Sequence, residues 1–170
     1  MMVIENGILK EYSGDPIHVV IPDGVVRIGG IKTEEDSRSN RFRTEEFLFY
    51  KPFPQDSPIE VLEIPSSVKE IGDKAFEHCH NLRTISFSEG LEAIGLSAFL
   101  CDAEITELRF PASLKEIGIW AFCHCINLKD VYFKSDVMFK GISIRKQAYT
   151  TKDSEFPFGG CPNIVYHFHS

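Results

Sequence analysis

The sequence has no excess of positive charge. Lys and Arg number 18 against 25 Asp and Glu, a net charge of −7 with a pI near 5.4. A general nucleic-acid binder presents a basic face, so this balance argues against nucleic acid. It equally disfavours docking on an anionic membrane surface. Long apolar runs are also missing: no stretch approaches the roughly 18 consecutive apolar residues of a membrane span. Met1 to Tyr12 has no basic n-region, no apolar run of the needed length and no small-residue cleavage site, so it does not read as a signal peptide. The chain is therefore expected to be cytoplasmic, or extracellular if a longer precursor is trimmed. No Asn has Ser or Thr two places on, and neither G-x-G-x-x-G nor G-x-x-x-x-G-K occurs. Disulfide frameworks use cysteines in pairs, and the count here is five. Free, buried thiols in a reducing compartment are expected instead.

What the chain does have is an ordinary globular composition, 43% hydrophobic and 25% charged, in 170 residues, a length that suits one domain. It also has 14 Phe against one Trp. The phenylalanines are not scattered. Ile64–Ser86, Phe87–Arg109 and Phe110–Tyr132 are three consecutive segments of 23 residues that align throughout. Val68, Leu91 and Leu114 match, as do Ile71, Ile94 and Ile117, then Gly72, Gly95 and Gly118. Ala75-Phe76, Ala98-Phe99 and Ala121-Phe122 follow. Leu82, Ile105 and Leu128 come next, then Ile85, Leu108 and Val131. Partial copies flank them. Ile21 to Gly29 supplies one half-unit, and Phe53, Ile59, Leu62 and Ile64 supply the other. Phe158 to Ile164 matches Phe122 to Leu128 after an insertion within Val137–Phe156.

A unit of this size cannot bury its apolar face alone. Stacked units bury a continuous column, which defines a solenoid. The spacing Leu82-x-x-Ile85-x-Phe87 predicts a short strand at Ile85 and Phe87. Gly72 allows a turn, Asp73 is a plausible cap, and Lys74–His78 is expected to be a short helical stretch. Residues 1–20 read as an N-terminal cap and 21–64 as a first coil carrying an insertion at 32–51. Residues 64–132 read as three regular coils, and 133–170 as a last coil with an insertion at 137–156 and a C-terminal cap.

The pattern Ile-Pro-x-x-Val-x-x-Ile-Gly-x-x-Ala-Phe-x-x-Cys-x-x-Leu resembles the BspA-type leucine-rich repeat of bacterial proteins. The opening from Ile4 to Tyr12, running on to Ile21-Pro22, is similar to the N-terminal hairpin cap of such proteins. The resemblance implies an α/β leucine-rich-repeat solenoid. Its form would be a short right-handed horseshoe with one parallel strand and a short helix or turn per 23-residue coil, and an N-terminal β-hairpin cap. It implies a binding scaffold and no particular ligand. Some relatives are surface proteins implicated in adhesion, an alternative from which this chain departs in showing no export signal or anchor.

Two residue groups invite chemistry. His78-Cys79-His80 and Cys123-His124-Cys125 are dense in metal-ligand types, and the repeat aligns His78, Cys101 and His124 in one column. Tetrahedral zinc needs four converging ligands, yet neighbours on one segment diverge. The repeat also assigns Cys79, Cys125 and Cys161 to a core position, with Asp102 interrupting them; Cys101 is expected to turn inward in its place. A small metal-binding or enzymatic protein using this Cys/His column is the alternative reading; the preferred one is non-enzymatic, with no catalytic residue, metal or cofactor. His167 and His169 share one face of a last strand and read as the polar surface of a terminal coil.

The second group is the concave sheet face. Between the buried strand positions run two outward rows, Val61, Thr84, Glu107 and Asp130, and Glu63, Ser86, Arg109 and Tyr132. Strands sit about 4.8 Å apart, so each row is expected to form a continuous strip. Thr84, Ser86, Glu107, Arg109, Asp130 and Tyr132 are the candidate binding residues, since Arg and Tyr are the types that anchor protein interfaces. The insertion at 32–51, with Arg38, Arg41, Arg43 and the aromatic run Phe47-Leu48-Phe49-Tyr50, is a second candidate surface. Both insertions are expected to project from the edge or convex side. The expectation is a protein–protein interaction module with an unknown protein partner, self-association being a further possibility through open sheet edges.

Overall fold

The structure is a computed structural model that describes residues 2–31, 49–148 and 154–169. Among the described residues the regular elements are almost all short strands. Those with four residues are β2 (Ile8–Glu11), β7 (Val61–Ile64), β9 (Thr84–Phe87), β11 (Glu107–Phe110), β13 (Asp130–Phe133) and β16 (Val165–Phe168). Three-residue strands are β1 (Val3–Glu5) and β3 (His18–Val20). Two-residue strands are β4 (Arg27–Ile28), β5 (Gly30–Ile31), β6 (Phe49–Tyr50), β8 (Glu70–Ile71), β10 (Ala93–Ile94), β12 (Glu116–Ile117), β14 (Met138–Phe139) and β15 (Ile142–Ser143). The helix α1 (Ile144–Gln147) is a single turn.

Each regular coil contributes two strands, one more than the repeat spacing predicts. The long strand is followed by a two-residue strand that joins a second sheet, with the order β1-β2-β4-β8-β10-β12-β14-β15. Pairs such as Glu70-Ile71 are too short to show alternation, which is why the pattern hides them. Antiparallel hairpins close this sheet at both ends. Asn6 and Gly7 turn β1 into β2, and Lys140 and Gly141 turn β14 into β15, all four with positive φ as tight hairpin turns require. The insertion near 137–148 is thus built into the solenoid as the last rungs of this sheet. β5 and β6 pair antiparallel as a stem at the two ends of the other insertion, whose residues 32–48 lie outside the described ones.

The expected helix at Lys74–His78 is a run of turns. Lys74 and His78 both have positive φ, and so do their equivalents Ser97 and Cys101, then Trp120 and His124. A right-handed helix cannot contain such residues. Alternate N–H groups instead point along the solenoid: Lys74 N to Leu96 O (2.8 Å), Phe76 N to Ala98 O (2.8 Å), His78 N to Leu100 O (2.9 Å). Asp73 is no helix cap either. Its Oδ1 accepts the Leu96 N–H of the next coil at 2.8 Å.

Gly72, Gly95 and Gly118 are required by contact between coils. A Cβ on Gly95 would lie 2.9 Å from the Gly72 carbonyl carbon, and one on Gly118 would lie 2.7 Å from that of Gly95. The core they allow is two phenylalanine columns. Phe53, Phe76, Phe99, Phe122 and Phe158 stack with centroids 4.7–5.5 Å apart. Phe87, Phe110, Phe133 and Phe168 form the other, at 5.2–5.5 Å. The columns meet edge-on, as at Phe133–Phe158 (89°). Offset and edge-on pairs of this kind contribute about 0.5–1.5 kcal/mol each beyond burial. Among the described residues, no helix is long and apolar enough to cross a membrane.

Candidate functional site

The long strands place the candidate residues as their alternation requires. In β11 and β13 the inward Leu108, Phe110, Val131 and Phe133 are buried, while Glu107, Arg109, Asp130 and Tyr132 face outward. Parallel register sets Glu107 beside Asp130 and Arg109 beside Tyr132. In β9, Thr84 pairs with Val61 and Ser86 with Glu63.

The strip is not continuous, however. The long strands form two separate sheets, β3-β7-β9 and β11-β13-β16. Thr84 and Ser86 therefore belong to one half, and Glu107, Arg109, Asp130 and Tyr132 to the other. At the intact junctions a pair of N–H groups shares one carbonyl of the previous coil. Arg83 and Thr84 donate to Glu60 O at 2.9 and 3.1 Å, and Lys129 and Asp130 donate to Thr106 O at 2.9 and 3.4 Å. Among the described residues no such bonds join Thr106 or Glu107 to Arg83 O. The junction is held by side chains instead, including the Arg83–Glu104 ion pair at 2.9 Å.

In the second half the outward side chains assemble. The Arg109 guanidinium lies 3.9 Å above the Tyr132 ring. His167, the next residue in the row, stacks on Tyr132 with centroids 4.1 Å apart and planes 8° from parallel. Arg109 Nε donates to Glu107 Oε1 at 2.5 Å, and His167 Nε2 lies 2.8 Å from Asp130 Oδ1. The bond to Glu107 raises the Arg109 pKa further above its ordinary value, with the Tyr132 hydroxyl adding in the same direction. At the far edge of the first half, His18 Nε2 lies 2.6 Å from Glu63 Oε1. Sequence reasoning assigned His167 to a polar terminal surface. The signal that finds it is its register: it continues the Arg109–Tyr132 row across the inserted segment.

The Cys/His column is arranged differently from a reactive site. All five cysteines are free, and among the described residues no group of three or more His, Cys, Asp or Glu could hold a metal ion. Cys79 and Cys125 are fully buried, and Cys161 and Cys101 partly so. Burial pushes every thiol up, Cys161 to about 12, which keeps them protonated and weakly nucleophilic. Asp102 does not yield its place to Cys101. It is itself fully buried, and Cys101 is half-buried with φ 64°.

Comparison with known proteins agrees with this architecture. The model of the BspA type leucine-rich repeat region matches residues 49–163 in six copies. A leucine-rich repeat protein from Bacteroides ovatus is similar over 99% of this chain, with a TM-score of 0.56 and 23% identity. The chain covers 39% of that protein's length. A leucine-rich repeat protein of T. pallidum is similar over 95% of this chain and 77% of its own, with 23% identity and a TM-score of 0.47. No curated protein matches. With its repeats and stacked coils matched by the family model over residues 49–163, the chain belongs to the BspA-type leucine-rich repeat family, whose members are generally protein-interaction modules.

Proposed function

We propose that this protein is a non-enzymatic interaction module that binds a protein partner through the outward face of β11, β13 and β16. The observation that carries this reading is the Arg109–Tyr132–His167 stack. Arg and Tyr are enriched among the residues that carry the binding energy of protein interfaces, and Tyr covers a large area with only two side-chain torsions. Here the Arg109–Glu107 ion pair and the His167–Asp130 hydrogen bond hold the two side chains that flank Tyr132, so less side-chain entropy is lost on binding. Glu107, Arg109, Asp130 and Tyr132 form this contact surface with His167; Thr84 and Ser86, across the junction, contact the same partner from the other half. The five free thiols suit a reducing, cytoplasmic setting.

The test is crosslinking capture in the native host with wild type and with Arg109→Glu and Tyr132→Ala. Asp23→Lys, on an exposed turn away from the strip, serves as the control. The partner captured by wild type and the control should be lost with both strip variants. A partner retained by both, with their circular dichroism unchanged, would redirect attention to the insertion at 32–51.

A further inference from the structure

One core position breaks its own rule. The column Cys79, Asp102, Cys125 and Cys161 is thiol except at Asp102. Each later thiol donates to a phenylalanine carbonyl of the preceding coil: Cys125 Sγ to Phe99 O at 3.4 Å, and Cys161 Sγ to Phe122 O at 3.1 Å. Asp102 has 0% exposure, and among the described residues neither carboxyl oxygen has a hydrogen-bond partner. The equivalent acceptor for it is the Phe76 carbonyl. That carbonyl is bound by the Cys79 N–H at 3.2 Å and retains a second lone pair. Only a protonated carboxyl could donate there as the thiols do.

Of the groups facing Asp102, only the Cys79 N–H favours an ionised carboxylate, and it already donates to Phe76 O. Cys79 and Cys125 flank it in the column, Cys101 precedes it, and Glu77 stands nearby with its charge taken up by Lys51 and Lys74. Farther out lie Cys161, Asp56, and His80, whose Nδ1 is 3.0 Å from Cys101 O. Arg83 is engaged by Glu104.

The same coil is where the long-strand sheet parts. β11 follows Asp102 and fails to join β9, whereas β8, β10 and β12 run unbroken beside it. On β9 the inward Ile85 and Phe87 are half-buried, unlike the fully buried Leu62, Ile64, Leu108 and Phe110 at equivalent positions. The molecule is thus two three-stranded halves on a continuous spine, with an unpartnered buried carboxyl beside the gap.

We propose that Asp102 is a pH-sensitive latch: as a neutral acid it stands in for the missing thiol and holds the two halves together, and its ionisation opens the β9–β11 junction about the short-strand sheet as a hinge. Burial pushes this carboxyl well above the usual carboxylate range. Glu77 adds in the same direction, and the nearby Cys79 N–H pulls back less. The folded-state value is raised above the unfolded 3.8. The stabilisation is therefore complete below the unfolded value and is lost as pH rises through the folded one. Opening would change the spacing between Thr84–Ser86 and Glu107–Arg109, on either side of the junction.

The experiment is a carbon-13 NMR titration of the Asp102 carboxyl, with amide hydrogen exchange measured over the same pH range and corrected for intrinsic rates. The carboxyl should titrate well above the ordinary carboxylate range. As it ionises, protection at 84–87 and 107–110 should fall by about tenfold, the factor that one pKa unit carries. Asp102→Cys restores the column and Asp102→Asn keeps the shape without the charge; neither should show the fall. A carboxyl titrating in the ordinary range, or staying protonated throughout, overturns the proposal. So does ionisation without loss at the junction, or a loss that persists in both variants.

Discussion

Tyr132 and His167 lie face to face at 4.1 Å on neighbouring strands, brought into register by the repeat although an insertion separates them in the chain. With Arg109 on the opposite face, the Tyr132 ring is covered on both sides and presents its edge and hydroxyl. Such a surface is ordered before any partner arrives.

The stack should register as coupling. Cation–π contacts at exposed sites are worth about 0.5–1 kcal/mol, and aromatic pairs about 0.5–1.5 kcal/mol. A double-mutant cycle of Tyr132→Ala with Arg109→Ala, and another with His167→Ala, read by urea denaturation, should each give coupling in that range. Additive effects in both cycles would mean that the three side chains do not act together.

The inner phenylalanine column should be far more costly to break. Phe99 is fully buried between Phe76 and Phe122, with centroids 5.1 and 5.0 Å away. Phe99→Ala should destabilise by about 3–5 kcal/mol in denaturant titrations. A loss under about 1 kcal/mol would show that the coils close over the cavity, contrary to a core of stacked rings.

Two glycines separate packing from conformational freedom. A Cβ on Gly95 would stand 2.4 Å from Asp73 Oδ1 and 2.7 Å from Asp73 N, in the tight contact between coils. A Cβ on Gly24 meets nothing within 4 Å, but its φ is +89°. Gly24→Ala should cost about 1 kcal/mol or somewhat more, from the backbone alone. Gly95→Ala should cost more, by about 1–3 kcal/mol, because backbone must move. Equal melting temperatures for the two variants would contradict the close approach.

This glycine column was legible in the sequence because it recurs every 23 residues, as were the phenylalanine columns and the hairpin cap. The turns were harder to read. Ala75, Phe76 and Cys79 have helical spacing, yet the left-handed residues Lys74 and His78 that prevent a helix are of no special type. The outward row was legible as far as Tyr132. The break between β9 and β11 was hidden, since both coils have the same length and pattern. So was the burial of Asp102, where repeat position outweighed the ordinary preference of a carboxylate for water.

Asp102 should leave a mark on global stability. If it is neutral when folded, unfolding above the ordinary carboxyl range releases one proton, and stability falls by about 1.4 kcal/mol for each pH unit. Urea midpoints of wild type should therefore decline more steeply with rising pH than those of Asp102→Asn. The difference should vanish below the unfolded carboxyl value of 3.8. Parallel curves would mean that the folded carboxyl is already ionised.

The thiols should be quiet. At pH 8, Cys79 and Cys125 should resist an uncharged alkylating agent until the protein unfolds, because both are inaccessible and shifted upward by burial. Half-buried Cys101 should be modified first, as peptide mapping by mass spectrometry would reveal. Rapid, selective modification of Cys125 in the folded protein would point to a reactive site.

The most direct test of the proposed binding face is a hydrogen-exchange footprint of the captured complex against the free protein. Protection concentrated in 107–110, 130–133 and 165–168 is the result predicted. Protection confined to the stem at 49–50 and the insertion it carries, with the three strands unchanged, would contradict it.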